Sequence, residues 1–106
     1  MYNVYVTEQA ADDLRKAALY IAVTLGNKAA AKRLIDAAEK VMSSLDDFPE
    51  RNPLVSDPFL AANGIRIIPV KNYLAFYSVH NDSKTVSVVR FLSARRDWSS
   101  VLGENK

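Results

Sequence analysis

No residue of this 106-residue chain is cysteine, and glycine, tryptophan and histidine are scarce at three, one and one. Without cysteine there is neither a disulfide framework nor a thiolate zinc site. Three glycines leave no Gly-rich phosphate loop and no Gly-x-Ser-x-Gly elbow around a nucleophilic serine. The single histidine, His80, excludes a His-x-x-x-His metal pair, and its place beside Asn81-Asp82-Ser83 suits a solvated turn. No stretch approaches the roughly 18 apolar residues of a membrane span, and Met1 to Val6 does not run from a basic region into an apolar one. These absences argue against hydrolase, nucleotide-binding, redox and metal-dependent chemistry, and lead to the expectation of a soluble cytoplasmic protein with no cofactor. The chain has the length of one domain, able to bury a core without metals or disulfides.

What is present is helical periodicity followed by strand periodicity. Tyr2 to Thr7 alternates as a short strand does, and Thr7 is placed to cap a helix whose start carries Glu8, Asp12 and Asp13. Ala10, Leu14, Ala17, Ala18, Ile21, Ala22 and Leu25 then recur at helical spacing, and Gly26-Asn27 suits a C-cap. A second helix is predicted from about Lys28 to Leu45, so the two form an antiparallel hairpin. Asp46 to Asn63, with three prolines, reads as a long irregular connection. Strands follow at Ile65–Val70, Tyr73–His80 and Thr85–Leu92, with tight turns at Lys71-Asn72 and Asn81 to Lys84. Pro69 confines the first of these strands to a sheet edge, because proline cannot donate to a ladder. Arg95 to Leu102 is a short helix or a tail. The predicted class is α+β, in the order β-α-α-β-β-β, with the helical hairpin on one face of a small, mainly antiparallel sheet and the other face open.

Charge is uneven. Residues 1–50 carry 6 Lys/Arg against 8 Asp/Glu, and residues 51–106 carry 8 against 4. In the basic half, Arg66, Arg90, Arg95 and Arg96 lie on or beside strands that also contribute Tyr73 and Tyr77. Guanidinium groups clamp phosphate bidentately and tyrosines stack on bases, so Arg66, Lys71, Arg95 and Arg96 are candidates for binding an anionic target. The structural alternative pairs Arg90 with a carboxylate such as Asp97, leaves Arg95 and Arg96 as the border of the last strand, and makes Trp98 a lid on the core. Arg90, set inside an apolar strand, is expected to be structural. Arg66 is expected to be solvated and functional.

The order of elements, the opening Tyr5-Val6-Thr7, Ala10 and Asp13-Leu14, then Gly64-Ile65-Arg66, Val70 to Val79 and Arg95-Arg96-Asp97-Trp98 together resemble the RelE/ParE superfamily. These are toxins of type II toxin–antitoxin systems, often called plasmid stabilisation proteins. The resemblance implies a cognate antitoxin as partner and one of two activities. RelE-like members cut mRNA on the ribosome, which requires acid–base groups and cations around the scissile phosphate. If this chain were such a nuclease, its candidates would be Arg66, Tyr73 and Arg95. Leu74, however, stands where those members carry a basic residue, and Trp98-Ser99-Ser100-Val101-Leu102 offers no terminal Tyr or His. Arginine is a poor proton-transfer group, since guanidinium does not readily deprotonate. The ParE-like branch, whose members poison DNA gyrase, is therefore the closer likeness. Other readings are a nucleic-acid-binding module without catalysis and an inactive toxin homologue.

Overall fold

The computed structural model describes residues 1–95. Strand β1 (Asn3–Val6) leads into helix α1 (Glu8–Leu19), which runs on through a π-helical turn at Tyr20–Thr24. Helix α2 (Lys28–Ser43) returns antiparallel to it, and a short helix α3 (Pro58–Ala62) precedes β2 (Arg66–Val70), β3 (Tyr73–His80) and β4 (Thr85–Ser93). Thr7 caps α1 as predicted, its Oγ1 accepting from the Ala10 amide at 3.1 Å. Asn27 belongs to the second helix rather than the first: its side chain accepts from the Ala30 amide at 2.9 Å. Gly26 supplies the left-handed residue between the helices, at φ 64°.

The sheet order is β1-β4-β3-β2, with β1 parallel to β4 and the other pairs antiparallel. β2 is an edge strand, as Pro69 requires. The hairpin lays Ala10, Leu34, Ala38, Met42 and Leu45 against Val70, Ala75, Tyr77, Val86, Val88 and Phe91 of the sheet, which forms the main core. The expectation of an α+β sheet with a helical hairpin on one face therefore holds.

The second face is not open. Phe76 and Leu92 are buried there with Val55 and Leu60, and Ile65, Ile67, Leu74 and Val89 pack around them. The connection expected to be irregular contributes α3, whose Asp57 carboxylate caps the Phe59 and Leu60 amides at 2.9 and 3.2 Å, with Pro58 at the first helical position. Apolar side chains on that sheet face need cover, and the nearest chain supplies it. The short helix or tail predicted after Arg95, with Arg96, Asp97 and Trp98, lies outside the described residues.

Candidate functional site

Arg66 opens β2 opposite Tyr77 of β3. Its guanidinium does not face solvent. Nη1 donates to the carbonyls of Asn52 at 2.6 Å and Glu50 at 3.3 Å, Nη2 lies 3.9 Å from the Glu50 carboxylate, and the side chain is 20% exposed. Beside it the fully buried Tyr77 donates its hydroxyl to the Pro49 carbonyl at 2.6 Å and accepts from Asn52 Nδ2 at 3.0 Å. Burial pushes the Tyr77 phenol above its ordinary value. Arg66 and Tyr77 together bracket the turn at residues 49–52 onto the sheet. The expectation of a solvated Arg66 is corrected: unpaired loop carbonyls recruit it.

Arg90 is structural, as expected, but with a different partner. Its Nε and Nη2 donate to the two oxygens of Asp13 on α1 at 2.8 and 3.2 Å. The cause is the length of β1, whose pairing with β4 ends at Val6 and Val88. Beyond that point the outer edge of β4 needs partners, and side chains supply them. Thr7 Oγ1 donates to the Val89 carbonyl at 3.3 Å, and the Asp13 carboxylate accepts the Phe91 amide at 3.0 Å.

Lys71, Tyr73 and Arg95 come together at the other end of β2. Lys71 occupies the left-handed position of the β2–β3 turn (φ 53°) and is exposed. The Ala94 amide donates to the Asn72 carbonyl at 2.9 Å, which brings the exposed Arg95 beside that turn. Tyr73 stacks on Phe91, with centroids 5.2 Å apart. Five residues of extended chain, about 17 Å, separate Arg66 from Lys71, so the expected anion-binding set is divided between two places.

Tyr73 stands between two shallow cavities. One, of about 350 Å³, is lined by Asp13, Lys16, Ala17, Tyr20, Tyr73, Phe91, Leu92 and Ser93. The other, of about 290 Å³, is lined by Ile21, Ala30, Arg33, Leu34, Lys71, Asn72 and Tyr73. Sequence reasoning missed Lys16, Tyr20 and Arg33 because it sought cations only among the strands. The helix spacing that placed Ile21 and Leu34 on the core face would also have put Arg33 beside the sheet end. Burial, and after it the neighbouring Tyr20, hold the Tyr73 phenol above its ordinary value. At neutral pH it is therefore a hydrogen-bond donor and a stacking surface, not a base. Leu74 packs into the apolar cluster on the opposite sheet face, and His80 pairs with Ser78 at 3.1 Å at the far end of β3. The cleft can hold an anionic or aromatic group, while no acid–base pair converges on it among the described residues.

This fold is shared with toxins of toxin–antitoxin pairs. A structure of a chromosomal ParDE toxin–antitoxin system from P. aeruginosa superposes with a TM-score of 0.71 at 18% identity, covering 88% of this chain and 96% of that one. The RelBE2 toxin–antitoxin complex of Mycobacterium tuberculosis gives 0.58 at 19% identity, covering 87% and 90%. The isolated E. coli RelE toxin gives 0.58 at 19% identity, with both chains covered completely. No curated protein matches the sequence. A family model decides between these likenesses: residues 4–98 match the ParE toxin of the type II toxin–antitoxin system parDE, and the chain belongs to that family.

Proposed function

We propose that this toxin acts as ParE-like proteins do, by poisoning DNA gyrase, and that a cognate antitoxin neutralises it. The observation that carries the reading is the environment of Leu74. Where an RNA-cutting relative needs a cation, this chain puts an apolar side chain among Phe76, Val89 and Leu92, on a sheet face covered by Val55 and Leu60. Arg66, on the neighbouring strand β2, is engaged by two loop carbonyls, and a protonated Tyr73 does not serve as a base. Stabilising a scissile phosphate and moving its proton both require groups that this face lacks. Target contact is assigned to Lys71 and Arg95 at the exposed end of the sheet and, by its place next in sequence, to Arg96, which lies outside the described residues, while Arg66 supports the scaffold at the other end of β2.

The antitoxin reading rests on the family and on surfaces that suit a segment folding on binding. Among the described residues the outer edge of β1 has no strand partner, and Leu19, Tyr20, Val23 and Leu25 are each more than half exposed at the tip of the helical hairpin. The mRNA endonuclease is the second reading, kept because Lys16, Arg33 and Lys71 do surround an aromatic cleft that could seat a nucleotide. Pulse labelling after induction in bacteria separates the two. Gyrase poisoning predicts that growth stops with a DNA-damage response and early loss of DNA synthesis, relieved by co-expressing the small protein encoded beside this gene. Collapse of methionine incorporation first, with DNA synthesis continuing, would favour the nuclease. Unaffected growth at full soluble expression would leave only a binding module or an inactive homologue.

A further inference from the structure

At the end of the molecule away from Lys71 and Arg95, the chain presents an aromatic side chain at a conformational cost. Phe48 is 77% exposed and adopts φ 47°, ψ 56°, the left-handed region that bulky residues avoid. Nothing in its own burial repays that conformation. The turn is imposed from outside by donors fixed on both sides. Arg51 directs Nη1 at the carbonyls of Ser44, Asp47 and Phe48 and Nη2 at Ser44 Oγ, Tyr77 holds the Pro49 carbonyl, and the Tyr2 amide holds that of Asp46. A strained residue persists where its surroundings over-determine it, and here they fix an exposed phenyl ring in one direction.

Phe48 forms one wall of a notch of about 510 Å³, with Met1 and Tyr2 facing it. Its rim is acidic. Asp46, Asp47 and Glu50 line it together with two cationic groups, the amino terminus of Met1 and Arg51, the latter turned onto backbone carbonyls. Neither Asp46 nor Asp47 has an ion-pair partner among the described residues. Glu50 is shared with Arg66 at 3.9 Å and with the Asn81 amide at 3.4 Å. Lys84 lies over the Tyr2 ring, 5.1 Å from its centroid. The cavities beside Tyr73 carry Arg33, Lys71 and a Lys16 paired with Asp12, and their one carboxylate, Asp13, is bound to Arg90, so their charge balance differs from that of the notch.

The geometry points to a second interaction surface: the Phe48 notch docks a cationic amphipathic segment of a protein partner, a leucine or aromatic anchor packing on Phe48 and Tyr2 while flanking lysines or arginines meet Asp46 and Asp47. A rigid, preorganised aromatic anchor limits the ordering cost of such binding, and a rim of opposite charge sets its specificity. Because the notch lies at the opposite end of β3 from Lys71 and Arg95, its occupant leaves the proposed target-contact end uncovered. The surface serves recruitment or regulation that does not compete with target binding, and it stands whichever activity the toxin has.

The probe is a short fluorescent helical peptide of lysine and leucine, with its glutamate–leucine counterpart as control, titrated into the full chain by anisotropy and by amide chemical shifts. The lysine peptide is expected to bind, with shifts confined to residues 1–2 and 46–51, and the glutamate peptide to bind at least about tenfold more weakly. Phe48→Gly decides between docking and mere fold: it relieves the left-handed strain, so it should raise the melting temperature while weakening lysine-peptide binding at least about tenfold. The double variant Asp46→Asn, Asp47→Asn should fold normally and weaken binding similarly. Absence of binding, equal binding by Phe48→Gly, equal binding of the two peptides, or shifts centred on Tyr20 and Lys71 would each overturn the proposal.

Discussion

Asp13 and Arg90, 77 residues apart in sequence, meet in a two-pronged ion pair with Nε–Oδ2 and Nη2–Oδ1 distances of 2.8 and 3.2 Å. The same carboxylate takes the amide of Phe91 at 3.0 Å, so one side chain both neutralises a cation inside a strand and finishes the edge that β1 is too short to cover. The Asp13 side chain is 9% exposed and that of Arg90 21%. Removing one partner of a fully buried pair costs about 3–5 kcal/mol, and partial exposure of the arginine lowers this to about 2–3 kcal/mol. Asp13→Ala should therefore lower the melting temperature by at least about 8 °C, at about 4 °C or more per kcal/mol for a chain of this size. Lys32→Ala, which removes an ion pair exposed on both sides, should change the folding free energy by no more than about 1 kcal/mol. Equal, small effects of the two changes would show that the Asp13 pair does not hold the helix to the sheet.

Arg66→Ala should behave as a scaffold defect. Losing the Nη1 bonds to the Asn52 and Glu50 carbonyls costs about 1–3 kcal/mol, and Arg66→Lys, which lacks the planar guanidinium that also brings Nη2 towards the Glu50 carboxylate, should recover only part of it. Any loss of toxicity should then track the loss of folded protein. An Arg66→Ala protein of unchanged stability and reduced toxicity would return Arg66 to the target-contact set.

Tyr77 makes stability sensitive to alkali. Its phenol is raised above the ordinary value of 10.0 by burial, so the folded protein keeps that proton after the unfolded chain has lost it. Stability from this group is whole below pH 10 and declines as pH rises beyond it. Tyr77→Phe should flatten that decline, and should also cost about 1–3 kcal/mol at neutral pH by stranding the Pro49 carbonyl. Urea melts at pH 7 and in steps above pH 9 measure both effects.

Much of this architecture is legible in the sequence, for identifiable reasons. The hairpin follows from apolar spacing, and the edge position of β2 from one proline. The cover on the second sheet face was not read, because Val55 and Leu60 are isolated apolar residues in a proline-rich stretch without periodicity. The Asp57-Pro58 pair did carry a helix-start signal and was passed over. Arg66 misled because its partners are backbone carbonyls, which leave no mark in a sequence. Arg90 was read correctly as structural from its apolar neighbours, but nothing local indicates a partner on another element. At the candidate site, Lys71, Tyr73 and Arg95 lie on or beside the strands, where the sequence directs attention, whereas Lys16, Tyr20 and Arg33 come from the helical hairpin, which carries no such signal.

Lys71→Ala and Arg95→Ala test the exposed end of the sheet. Both side chains are solvated, so each change should move stability by no more than about 0.5 kcal/mol. Toxicity should nevertheless fall, and fall further in the double variant. Full toxicity in the double variant, at normal stability, would remove this end of the sheet from target contact.

The central question is whether a fold that puts Leu74 in an apolar cluster and commits Arg66 to its own loop has given up RNA cleavage. Purified protein assayed in parallel on plasmid supercoiling by DNA gyrase and on mRNA positioned in ribosomes answers this directly. Inhibited supercoiling or accumulated cleaved DNA, with the mRNA intact, is the predicted result. Cuts in the ribosome-bound mRNA with gyrase unaffected would contradict it.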